Sequence, residues 1–408
     1  MMASPHHRHQ SSLEGLINFS STQTLNVQQR ARARSGFYHI MEHFDTAKSK
    51  PLSNNSSPYN RPRLIRLTYE YAISEESRDT LLQAFFRSLE IPMDDGEDID
   101  FADKHIEEEV NCKLVGFAEY LLDNFFLPLK ASTKKTPQPS PAYHSAVLNV
   151  QAGAQTFVGT PARISKLRGS CLIRDRHRCV ISRAFDQNQA IERMRDCDDA
   201  LDDDGQSLAG ESFDSLEVAH ILPHSLTKAG LDSELVRFSD DWIENPLKQF
   251  AQDAAREAAL TILNMFDKDI AHFIDGTEVD RPRNALTLTH RLHMLFGDFQ
   301  IFFEPVEGEL PHTYRIETFL PPSLFQGLLP TTRTLFLTET RTIEPPSPRL
   351  LAVHRAIAHI LHLSAAGSYI DRMFRKIEEQ ETQADGSTDL ARLVNLILNG
   401  WWDGTVDA

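Results

Sequence analysis

The sequence predicts an α+β protein in which a short strand-and-helix module sits between mainly helical flanking regions. Three observations predict this. Apolar residues recur at helical spacing on either side of the chain's middle, the middle holds short apolar runs of strand length, and Pro- and Ser-rich segments separate the parts. With 408 residues, 41% hydrophobic and 25% charged, the chain is long enough for two or three folded units.

Residues 1–60 are rich in Ser, Asn, Gln, His and Arg with little periodicity and read as a tail without a fixed fold. A helical region over 61–130 follows. Leu82, Phe85, Phe86 and Leu89 set its first stripe, and Leu114, Phe117, Ala118, Leu121, Leu122 and Phe125 set the second, before Pro128. "STKKTPQPSPA" (132–142) marks a linker over 131–143. The stretch 144–325 is mixed. "RCVIS" (178–182) and "LEVAHI" (216–221) read as strands, and 245–274 carries Leu247, Phe250, Ala254, Ile262, Leu263, Phe266, Ile270 and Phe273 in a helical pattern. "NALTL" (284–288) reads as a strand, "THRLHMLF" (289–296) as a short helix, and "FQIFFEP" (299–305) with "TYRIETF" (313–319) as a hairpin. The Asp-rich insert between Arg183 and Glu217 reads as a surface loop. A Pro-rich connection (326–350) leads to a C-terminal helical region (351–408), with helical periodicity over 351–379 and 389–399. Trp401 and Trp402 are expected to pack its last helix onto the body.

Lys and Arg total 42 against 58 Asp and Glu, a formal charge of −16, which repels a polyanion at long range and argues against a general nucleic-acid coating role. The charge is uneven. Residues 163–183 hold seven basic side chains and only Asp175 as an acid, whereas 192–217 hold ten acids and two arginines. A mobile acidic insert occupying a basic cleft and a merely tolerated surface loop are both compatible with this pattern. The four cysteines (Cys112, Cys171, Cys179, Cys197) form no C-x-x-C pair, which points to a reducing intracellular compartment, nucleus or cytoplasm, without disulfides or a cysteine-ligated zinc knuckle. The first thirty residues hold no apolar h-region, and the most apolar run, 114–129, is interrupted by Glu119 and Asp123 and too short to span a bilayer. The reading is a soluble protein with no membrane partner.

"EVAHILPHSL" (217–226) places His220 and His224 around a proline. A lone histidine in a short apolar strand is ordinarily a satisfied structural residue. The order of residues changes that reading: His220 lies near the end of one predicted strand, Asn284 on a later one, and His293, nine residues on, in the helix after it. Taken together, "RDRHRCVIS" (174–182), "AHILP" (219–223) and "NALTLTHRLHMLF" (284–296) resemble the HNH endonuclease family, the ββα-metal nucleases. The likeness is to an Ala-His-Ile-x-Pro branch, similar to fungal proteins of unknown role that carry the module between helical flanks. It covers about 160–310, under half the chain.

The resemblance implies metal-dependent hydrolysis of DNA phosphodiester bonds. His220 takes the place of the general base, an imidazole whose ordinary pKa lets it accept a proton from water near neutrality. Asn284 takes that of the residue orienting the base, through its ring or the adjoining loop, and His293 that of a metal ligand. The implied cofactor is a divalent ion, Mg²⁺ or Mn²⁺, with Zn²⁺ and Ni²⁺ also suited to an imidazole donor. The chain departs from the family pattern at Ala219, where many members carry an Asp or His ligand, and at Gly297–Asp298, where a carboxylate often follows Leu-Phe directly. The departure implies a substitute ligand or more water in the metal shell, and the candidates for a ligand are Glu217, His224, His290 and Asp298, none assigned by spacing alone. His290 shares a helical face with His293, whereas Glu217 on an ideal strand points away from His220. Arg174, Arg176 and Arg178 alternate, and on a strand would share one face toward phosphates or remain solvated. Cys179 reads as a small buried hydrophobe, because Ser182 stands where zinc-binding relatives carry a second cysteine. The alternative function is a catalytically inactive HNH scaffold that binds a protein partner through its helical flanks, or binds DNA without cutting it. Ala219, Gly297 and the overall acidity motivate it.

Overall fold

The computed structural model describes residues 24–47, 59–93, 96, 99–133, 160–196, 199–226, 246–338, 342–378, 388–399 and 401. They fall into two units. The first draws on Met1–Ala131, Asn245–Ala271 and His359–Ala408, and the second on Ser132–Glu244 and His272–Ala358.

In the first unit, helix α1 (Val27–Ala47) corrects the expectation that residues 1–60 lack a fixed fold. Its polar composition hid a stripe: Phe37, Ile40, Met41 and Phe44, at helical spacing, are all buried. Arg30 adds a forked contact to the buried carboxylate of Asp79, at 2.7 and 2.8 Å. Helices α2 (Arg61–Glu70), α3 (Glu75–Leu89) and α4 (Lys104–Leu121) begin at Asn60, Ser74 and Asp103, whose side chains accept from backbone N–H groups of the first turn. Phe85 of α3 lies edge-on to Phe37 at 5.0 Å and to Phe117 of α4 at 5.8 Å.

The helix expected over 245–274 runs only from Pro246 to Leu263. It belongs to this first unit, because the chain just after it is anchored there. The Phe266 ring lies 5.4 Å from that of Phe125, and the Phe266 carbonyl accepts from the Ile73 N–H at 2.6 Å. The mixed region predicted over 144–325 is therefore not one continuous domain. Helices Ala366–Glu378 and Thr388–Leu398 complete the unit: Tyr369 stacks on Tyr59 at 5.4 Å, and Arg392 joins Glu119 to Asp123. Trp401 is buried as expected, while Trp402 and the linker beyond Thr133 lie outside the described residues. Among the described residues no single helix is long and apolar enough to cross a membrane.

The second unit opens with α5 (Thr160–Arg174), followed by β1 (Phe185–Asp186), α6 (Gln187–Asp196) and β2 (Phe213–Asp214), which pairs parallel with β1. Strand β3 (Leu216–His220) pairs antiparallel with β4 (Ala285–Thr289), without a break from Leu216 opposite Thr289 to His220 opposite Ala285. Helix α7 (His290–Gly297) follows β4 directly, giving the strand, strand, helix order read from the sequence. Strands β5 (Ile301–Pro305), β6 (Thr313–Thr318) and β7 (Thr331–Thr334) form a separate antiparallel sheet. Across β4–α7 the chain follows the fold the sequence predicts.

Two expectations fail in this unit. "RCVIS" is not a strand. Arg176, His177 and Arg183 adopt left-handed φ values of 55°, 52° and 67°, and Cys179 donates to the Ala184 carbonyl at 2.9 Å, so the segment folds back on itself. Cys179, Val180 and Ile181 are fully buried inside that loop, as read for Cys179. The Asp-rich insert is not a surface loop either, since Phe185, Ala190, Ala200 and Leu208 give it a small apolar core.

Helix Pro348–Leu363 supplies His354, which stacks on Phe296 of α7 at 3.9 Å and 6° and donates from Nε2 to the Phe296 carbonyl at 3.0 Å. Burial pushes its pKa down to about 3, so this imidazole is neutral at physiological pH.

Candidate active site

Because β3 pairs with β4 without a bulge, its side chains alternate strictly between two faces. Val218 turns toward α5, where it packs with Leu167, Cys171 and Ala285, and His220 shares that face. Glu217 and Ala219 turn the other way, toward α7. The predicted residues therefore collect into two histidine–carboxylate groups.

On the α5 face, the His220 side chain is only 5% exposed, and its Nε2 donates to Oδ1 of Asp280 at 3.2 Å. The second oxygen of Asp280 accepts from Nε of Arg163 at 3.3 Å and lies 3.7 Å from Nε2 of His224. Burial alone would raise the Asp280 carboxyl, but the His220 hydrogen bond and the neighbouring His224 and Arg163 hold it below the ordinary carboxylate range. With Nε2 committed, Nδ1 of His220 is left as the basic atom, and it is buried without a hydrogen-bond partner.

Asn284 does not touch the His220 ring. It holds the loop after β3: Oδ1 accepts from the Leu222 N–H, and Nδ2 donates to the carbonyls of Leu222 and Val279, all at 3.0 Å. The Ile221 N–H also donates to its backbone carbonyl at 2.8 Å. A fully buried amide with its oxygen and both of its N–H donors engaged fixes where β3 ends, and with it where His220 stands.

On the α7 face, both oxygens of Glu217 are taken by helix histidines: Nδ1 of His293 donates to Oε2 at 2.6 Å and Nδ1 of His290 to Oε1 at 2.9 Å. Burial raises the Glu217 carboxyl, but these hydrogen bonds outweigh it and hold its pKa below the usual value. Carboxylate-held Nδ1–H fixes the His293 tautomer with the lone pair on Nε2, the arrangement that orients metal-ligating imidazoles. His290 makes the same contact from an exposed position. Ala219, on this face by alternation, contributes no donor.

The three arginines expected to meet phosphates are otherwise engaged. Arg174 ends α5, fully buried, donating to Asp175 and to the carbonyls of Pro282 and Ala285, so it cannot reach a nucleic acid. The acidic insert takes the rest in register: Arg178 pairs with Asp202 and Glu211, His177 with Asp203, and Arg176 with Asp204. Arg176, His177 and Arg178 are thus paired by a folded element.

Among the described residues no group of three or more His, Cys, Asp and Glu side chains is arranged to hold a metal ion. The donor chemistry fits only an open site, one imidazole Nε2 on His293 with the remaining positions left to water and substrate oxygens. Sequence reasoning missed Asp280 altogether. Its signal is faint, one of three acids (Asp275, Glu278 and Asp280) in a stretch without periodicity before Asn284.

Residues 179–304 match the family model of the HNH endonucleases, a span that contains β1 through most of β5, with His220, Asn284 and His293 inside it and Arg174 to Arg178 outside. No curated protein and no solved structure matches the chain. The matched module is nuclease-like.

Proposed function

We propose that the HNH endonuclease module at 179–304 hydrolyses phosphodiester bonds of DNA, with His220 as general base acting through Nδ1. One observation carries this reading: a buried imidazole has one nitrogen tied to a buried carboxylate and the other unpartnered. Asp280 is its positioning residue. An anionic partner on Nε2–H selects the tautomer and stabilises the imidazolium that forms when Nδ1 takes a proton from the attacking water. Asn284 acts one step further out, by holding the loop that ends β3.

His293 would hold a divalent ion through Nε2, with Glu217 keeping its ring in place; His290 is a second candidate ligand. When bound, such an ion neutralises charge on the phosphate and the leaving oxygen, and Mg²⁺, Mn²⁺, Zn²⁺ and Ni²⁺ all suit the donors. The test is nicking of supercoiled plasmid with Mg²⁺, Mn²⁺, Ni²⁺ or EDTA beside His220→Ala. Metal-dependent nicking that the variant lacks supports the reading, and no nicking, or equal nicking by both, ends it.

A second reading, a non-cutting scaffold that binds protein or DNA, is favoured by one observation: Ala219 adds no ligand to the α7 face, and the strand's carboxylate there, Glu217, is taken up by His290 and His293. Tight Mn²⁺ binding that disappears in His293→Ala would count against it.

A further inference from the structure

With Arg174 and Arg178 committed internally, the cations left for a polyanion lie elsewhere. Phe336, just after β7, gathers two of them: the Arg183 guanidinium sits 4.1 Å and that of Arg176 5.1 Å from its ring centroid. Arg333 of β7 reaches the same loop, donating from Nε to the Ile181 carbonyl at 2.8 Å.

Carbonyls, not carboxylates, hold Arg183 and Arg333. Arg183 donates Nη2 to the Thr334 carbonyl at 2.6 Å, and Arg333 donates Nη1 to that of Thr332 at 3.1 Å. Among the described residues neither arginine has an acidic partner, and Nη1 of Arg183 is buried without any hydrogen-bond partner. Burial and then the charge of Arg333 push Arg183 down to about 10, against the pull of Asp175, so it stays cationic at neutral pH. Only Arg176 meets an acid, Asp204.

Like-charged guanidinium groups held close together, two of them without an acidic partner, are stabilised by an anion, and their planar forks match phosphate oxygens. We infer that Arg183 and Arg176, over Phe336, together with Arg333 on the same loop, form the site that takes the phosphate backbone of DNA. The choice of DNA over another phosphate carrier rests on the nuclease reading of the same module. The Asp204 carboxylate then acts as an internal competitor for Arg176.

The experiment is fluorescence anisotropy of a labelled DNA duplex with the full chain in EDTA, so that no cleavage is needed, repeated over a salt series. Arg183→Gln/Arg333→Gln should bind about tenfold more weakly near 0.1 M salt and lower the slope of log K against log[salt] by about 2, one per phosphate contact removed. Arg63→Gln/Arg375→Gln, which removes equal charge from exposed positions of the first unit, should match wild type. Asp204→Asn, a surface change that spares the fold, should bind severalfold more tightly.

Wild-type protein that does not bind the duplex, an Arg183/Arg333 variant with unchanged affinity and slope, or weaker binding by Asp204→Asn would overturn the inference. Arginine-dependent binding without any nicking would end the nuclease reading while supporting this site. Nicking with arginine-independent binding would do the reverse.

Discussion

The two faces of the β3–β4 hairpin use the same pair of chemical types and differ in how far they shut them in. On the α5 face the carboxylate of Asp280 is nearly fully buried and the histidine it holds is 5% exposed. On the α7 face Glu217 is 16% exposed and shared between His293, also nearly buried, and His290, which is 68% exposed. A closed pair suits proton transfer, because a fixed tautomer and low dielectric sharpen the acid–base difference. An open pair suits a ligand that keeps water and accepts substrate oxygens. The comparison teaches that the pleat of one short strand separates the two tasks. Residues three apart on β3 cannot share a face, so the proposed base and the proposed ligand have different carboxylate partners.

The change that would break this division most completely is His220→Ala, for which the loss of nicking is expected to be about 10²- to 10⁴-fold. Equal rates in variant and wild type would remove the base from the α5 face. Next is Asp280→Asn, expected to lower kcat roughly 10- to 100-fold with KM little changed and to shift the pH–rate profile, with partial recovery in Asp280→Glu. A variant that only loses thermal stability, with an unshifted profile, would make Asp280 structural.

The same carboxylate gives a stability test with a definite sign. Its folded pKa lies below the ordinary value near 4, so its contribution is complete above that value and is lost as pH falls below it. The stability gap between wild type and Asp280→Asn, read by urea unfolding, should close between about pH 4 and the folded pKa.

Glu217→Gln sharpens the other side. Removing the anionic partner of His293 is expected to weaken Mn²⁺ binding, measured by calorimetry, about 10- to 100-fold, while duplex binding in EDTA is unchanged. Unaltered metal affinity would show that the α7 face does not depend on Glu217.

The smallest effect at neutral pH is expected for His354→Phe, which keeps the stack on Phe296. His354 is neutral when folded and titrates near 6.5 when unfolded, so wild type should lose stability as pH falls from about 6.5 toward 3. Thermal melts across that range should show this component missing from the variant.

Much of the hairpin and its helix was legible because each element announces itself locally. "LEVAH" and "ALTLT" are strand-length apolar runs, and His290 to Phe296 carries helical spacing right after them. Helix α1 was hidden because composition averaged over 60 residues swamps four apolar positions. Arg174 to Arg178 misled because alternation implies a strand only if φ stays extended, and two left-handed residues turn the chain instead. Asp280 and the ladder of Asp202, Asp203 and Asp204 on Arg178, His177 and Arg176 were beyond reach, since such pairings depend on tertiary placement and not on any period in the chain.

The interleaving of the units has a consequence for the order of synthesis. The second unit closes its sequence at Ala358, whereas the first still awaits His359 onward, including Tyr369 for Tyr59 and Arg392 for Glu119. On the ribosome, the unit that holds the chain's first described helix is therefore the last to have all its parts, reversing the usual N-terminal-first sequence of folding. A nascent chain released early by a stop after residue 358 would carry every residue of the nuclease-like unit, beside helices still lacking the partners that cover them.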